Sequence, residues 1–84
     1  MMTDYITFRS VTAAQRGEKI LNAAGIRCAV RRTPRWMEEQ GCGYCLRLWA
    51  KELKTAAELL VREGVPFRKL YVQKESGELE EVTL

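Results

Sequence analysis

A chain of 84 residues with 46% hydrophobic and 30% charged side chains makes one small domain. Surface scaling has folding hide roughly 64% of its extended surface, close to the lower end for a chain that folds alone. The formal net charge is +3, there are three cysteines, and there is no histidine. Histidine-based catalysis and histidine metal ligation are therefore excluded, and a disulfide framework is not expected of so few cysteines. No apolar run approaches the ~18 residues of a membrane span, and the first residues do not resemble a signal peptide, so a cytoplasmic, reducing location is expected.

In chain order, residues 4–9 are rich in strand formers, with Ile6 and Phe8 expected on the buried face. Ser10 suits an N-cap and Gly25 a C′ stop for a helix whose stripe carries Ala14, Gly17, Leu21 and Ala24, with Ile20 beside it. Ile26, Cys28 and Val30 then alternate as on a half-buried strand, which makes Cys28 a core residue without assigned chemistry. Pro34 ends regular structure, and residues 33–43 read as a loop holding Trp36 and Met37.

The next stretch admits two periods. Tyr44, Leu46 and Leu48 alternate as a strand, whereas Leu46, Trp49, Leu53, Ala56 and Leu60 also make a long helical stripe. The favoured reading is a strand over 44–49 and a helix from about Lys51, with Leu53, Ala56, Ala57, Leu60 and Val61 on its apolar face and Gly64 as its stop. Phe67 to Gln73 reads as a last strand opened by Pro66, and Glu75 to Glu78 as a turn. A shift of 39 residues superposes Ile20 on Leu59, Leu21 on Leu60, Gly25 on Gly64 and Ile26 on Val65. Two strand–helix–strand halves predict an α+β, ferredoxin-like βαββαβ sandwich: a four-stranded antiparallel sheet with two helices on one face. The domain is expected over residues 1–73. Residues 74–84 form an acidic tail, Lys74 against Glu75, Glu78, Glu80 and Glu81, which either frays or folds back as a short edge strand. If Leu46 and Leu48 face the helices, then Cys45, Arg47 and Trp49 emerge on the other face, where a second copy of the chain or a ligand would sit.

Cys42-Gly43-Tyr44-Cys45 follows an arginine-dense stretch of Arg27, Arg31, Arg32 and Arg35. A thiolate is the form of cysteine that reacts, and lowering its pKa from about 8.5 to about 6.5 raises the ionised fraction at pH 7 from ~3% to ~75%. Arg35, Arg32 and Arg47 are the candidates for that shift. Gly43 is placed to let backbone amides approach an anionic sulfur. Cys45 is positioned to resolve a persulfide on Cys42, or to form a disulfide with it. Against this stands the plainer reading, in which Cys42 is an ordinary loop thiol and the arginines a solvated rim.

The order of these pieces resembles a family of short bacterial proteins described as selenium/sulfur carrier-like. The resemblance covers roughly residues 4–72 and is sharpest at Pro34-Arg35 and Cys42-Gly43. Cys45 falls where that family more usually has an apolar residue. The resemblance implies a protein that holds sulfur or selenium on Cys42. The reading drawn from it is a carrier rather than a turnover enzyme, with no cofactor or metal expected and with donor and acceptor proteins as partners. Three rivals remain. Cys-Gly-Tyr-Cys looks like a thiol-disulfide oxidoreductase motif, and the helical reading of 44–63 would put it at a helix N-terminus. A zinc site could close only across a dimer, because one CxxC supplies two of four ligands. A nucleic-acid module would use Tyr5, Arg47 and Trp49 on the open face, but the glycine-aromatic pattern of an RNA-recognition strand is missing.

Overall fold

The computed structural model describes residues 3–33 and 43–83. The elements are β1 (Thr3–Phe8), α1 (Val11–Ala23), β2 (Cys28–Arg32), β3 (Tyr44–Trp49), a 3-10 turn (Ala50–Glu52), α2 (Leu53–Arg62), β4 (Leu70–Gln73) and β5 (Leu79–Val82). The sheet runs β2-β3-β1-β4-β5, with every neighbouring pair antiparallel. The expected four strands are thus corrected to five. The acidic segment earns its place by pairing Leu79 to Val82 along β4, and Lys69–Glu81 at 3.5 Å and Lys74–Glu80 at 3.1 Å reinforce that edge.

The helix ends follow from local chemistry. Ser10 caps α1, its hydroxyl accepting from Ala13 N at 3.1 Å. Both helices close with the same paired bonds. Ile26 N donates to Leu21 O (2.9 Å) and Gly25 N to Asn22 O (3.0 Å); in the second half Val65 N donates to Leu60 O (3.0 Å) and Gly64 N to Val61 O (3.2 Å). This is the Schellman arrangement, and it needs a left-handed residue at C′, met by Gly25 at φ 85° and Gly64 at φ 72°. The 39-residue repeat is therefore physical at its helix stops.

The two periods of residues 44–63 part at Trp49. Residues 44–49 are a strand because each of its sides has a strand to bond, β1 on one and β2 on the other. Ile6, Phe8, Leu46, Leu48 and Leu70 form the floor of the core, and Ala14, Leu21, Ala56, Ala57 and Leu60 close it from the helices. Each such large side chain contributes roughly 1.5–3 kcal/mol by leaving water. Gly17 sets how closely α1 approaches: a Cβ there would lie 3.3 Å from Leu46, Leu60 and Phe8 alike. The sequence pattern is off in several places. Ala24 is the C-cap of α1 and exposed rather than on the buried stripe. Val61 is 65% exposed rather than buried. Regular β2 starts at Cys28 rather than Ile26, and regular β4 at Leu70 rather than Phe67. Ahead of β4, Thr7 holds the chain through Arg68 N (2.7 Å to Thr7 O) and Lys69 O (2.9 Å from Thr7 N).

Candidate functional site

Cys42-Gly43-Tyr44-Cys45 lies in sequence where the chain passes from β2 to β3. The ladder runs from Cys28 opposite Leu48 to Arg32 opposite Tyr44, and Thr33 N donating to Gly43 O at 3.0 Å extends it one step. Gly43 is buried at that step. Cys42, Pro34 and Arg35 lie outside the described residues, as do Trp36 and Met37. Cys42 is nevertheless covalently next to Gly43, one residue from the last backbone bond of the ladder.

Strand register divides the expected arginines between two faces. Arg32, opposite Tyr44, is on the helix side of the sheet and lies 6.0 Å from the Tyr44 ring centroid, a cation–π contact. Arg47, opposite Tyr5 and Ala29, is exposed on the other face, which it shares with Trp49 and Cys45. That sharing of Tyr5, Arg47 and Trp49 agrees with the alternation read from the sequence. The residue missing from the sequence-based set is Arg31. It pairs with Cys45 across β2 and β3, and the signal for it was the same period-two alternation applied to β2.

Cys45 stands on the helix-free face by register, yet it is only 1% exposed. Burial pushes its thiol pKa up, while the Thr33 hydroxyl and the Arg31 charge work in the opposite direction. Thr33 Oγ1 is itself buried without a well-formed hydrogen bond among the described residues, so its approach to the sulfur counts as a weak interaction. Near neutral pH, Cys45 is accordingly a protonated thiol. Cys28 is half-buried against the core, with Sγ 3.9 Å from Glu18 O and 3.8 Å from Asn22 Oδ1. Desolvation first, and the Glu18 carboxylate second, push it up to about 11.

The strand over 44–49 overturns the helical reading of 44–63. α2 begins only at Leu53, so among the described residues no helix N-terminus reaches Cys45. Among the described residues, no three cysteines or carboxylates gather as a metal site. No helix among them is long and apolar enough to cross a membrane. The sheet is polarised in charge: the glutamates of β5 pair with Lys69 and Lys74 at one edge, and Arg27, Arg31 and Arg47 cluster toward the other.

No curated protein and no solved structure matches the chain. Residues 4–72 match the model of the family described as "Putative Se/S carrier protein-like", and on that extent the chain belongs to this family.

Proposed function

We propose that this protein carries a sulfur or selenium atom on Cys42 and hands it to a partner thiol. The observation that carries the reading is the family match over residues 4–72, which includes Cys42 and Gly43. In loading, the Cys42 thiolate attacks the outer sulfur of a donor persulfide, a new S–S bond forms on Cys42, and the donor sulfur leaves as thiolate. Transfer to an acceptor repeats the exchange, so no net oxidation occurs and no cofactor is consumed. Arg32 and Arg35 would favour the anionic forms of the sulfur, with Gly43 giving backbone access, and Arg47 would meet the partner. Cys45 is buried with a raised pKa, so it acts as a resolving thiol only once uncovered and deprotonated; its attack on the inner sulfur of loaded Cys42 would then give a Cys42–Cys45 disulfide and release hydrosulfide. The strand order β2-β3-β1-β4 beneath two helices supports describing the frame as a ferredoxin-like sandwich with an added edge strand. This chemistry belongs in a reducing, cytoplasmic setting.

The test is mass spectrometry after incubation with a persulfide donor. A gain of one sulfur on Cys42, removed by dithiothreitol and absent in Cys42→Ser, is expected. A chain that stays unmodified, or is modified on Cys28 alone, refutes the carrier reading. A dithiol oxidoreductase would instead show insulin reduction that disappears in Cys45→Ser.

A further inference from the structure

A shallow cleft of about 390 Å³ opens on the β2–β3 side of the sheet, lined by Arg27, Ala29, Arg31, Arg47, Trp49 and Thr3. Its origin is visible in the register. Ala29 sits opposite Arg47 and contributes almost no side chain, while Arg31 lies two residues along the same strand. A gap is left at Ala29, rimmed by guanidinium groups. Trp49, opposite Thr3 and 37% exposed, walls one end. Along β3, Trp49 and Arg47 are about 7 Å apart, and Arg47 and Arg31 are diagonal neighbours at about 7–8 Å. Among the described residues, none of the three arginines has a carboxylate partner, and the cleft lining contains no acidic residue.

The geometry points to a binding site for a nucleoside phosphate. Guanidinium groups are planar donors suited to phosphate oxygens, and three of them around one gap favour a dianion over a single carboxylate. The indole beside them offers a face for a flat heterocycle, the other half of such a ligand. The volume lies at the small end of ordinary ligand pockets, which suits one nucleotide better than a protein segment. The assignment shares Arg47 with the carrier reading but does not rest on it, since Cys45 is not among the residues lining the cleft and the proposed contacts to the ligand use no thiol.

Titration calorimetry of the full chain at low salt tests it, with adenosine and uridine monophosphates, inorganic phosphate and a single-stranded hexanucleotide as separate ligands. Saturable binding of at least one monophosphate is expected, tighter than inorganic phosphate by about fivefold or more. Arg47→Gln should weaken both ligands by about tenfold. Trp49→Leu should weaken the monophosphate to the level of phosphate and leave phosphate itself unchanged. Both side chains are exposed, so the fold should tolerate the changes; amide chemical shifts should move at residues 27–31 and 47–49 and be silent elsewhere. The assignment is overturned by any of three outcomes: no binding of any monophosphate, equal affinity for phosphate, or binding of the hexanucleotide alone.

Discussion

The three cysteines should differ in reactivity by orders of magnitude, and Cys28 is the one whose slowness the structure quantifies. Its pKa moves from 9.0 to about 11, first because the sulfur is desolvated against the core and second because the Glu18 carboxylate opposes a nearby negative charge. At pH 7 a thiol at 9.0 is about 1% ionised and one at 11 about 0.01%, so Cys28 should alkylate roughly a hundredfold more slowly than an ordinary thiol. The assay is iodoacetamide labelling from pH 6 to 10, read cysteine by cysteine by mass spectrometry, with urea-unfolded protein as reference. In the folded chain Cys28 should gain reactivity about tenfold per pH unit across the whole range, without a plateau. Glu18→Gln should accelerate Cys28 only in part, because desolvation is the larger cause. The substituted amide still offers an oxygen to Val30 N, which now donates to Glu18 Oε2 at 3.1 Å. Labelling of Cys28 at the unfolded-state rate, or a rate indifferent to Glu18→Gln, would refute the reasoning. Cys45 should also lag its unfolded rate, since burial raises its pKa, and a fast thiol in the native chain would then be Cys42.

Other outcomes follow from the packing. Leu60→Ala, at a fully buried position beside Gly17, should cost about 2–5 kcal/mol in urea unfolding, a large share of the roughly 5–15 kcal/mol a small domain possesses. Gly64→Ala meets no atom within 4 Å but forces φ 72° on a residue with a Cβ, and should cost about 1–2 kcal/mol. In thermal unfolding that is a fall in Tm of roughly 4–8 °C per kcal/mol. Asp4 is 2% exposed, and its Oδ1 accepts from Gln73 N at 3.1 Å; burial raises its pKa above 3.8 and the bond only partly offsets this. The folded state therefore holds the Asp4 proton more tightly, and stability from this group is lost as pH rises from 3.8 through the raised value. Asp4→Asn should stabilise the protein at pH 7, by a margin that shrinks toward pH 4 in denaturant titrations.

The elements nearest in sequence were legible because their causes are local. The Ser10 cap, the glycine stops at 25 and 64, and the apolar stripes of both helices depend on dihedral preferences and on bonds within one turn. The alternation of Tyr44 to Trp49 correctly assigned Leu46 and Leu48 to the core and Arg47 to the other face. It could not distinguish that strand from a long helix, because both periods fit the same leucines, and only the strands on either side of β3 decided between them. β5 depended in the same way on a partner edge, β4, with Lys69 and Lys74 flanking it. At the candidate site the sequence itself determined which atoms are available: three thiols, a surplus of arginine, and no imidazole. Tertiary structure alone decided how they are divided. Antiparallel register put Arg31 opposite Cys45, turned Arg32 toward Tyr44 on the other face, and left a gap at Ala29 between Arg31 and Arg47. Composition fixes the charge of a chain, but the electrostatic environment of a thiol depends on distance and desolvation, and both are set across strands far apart in sequence.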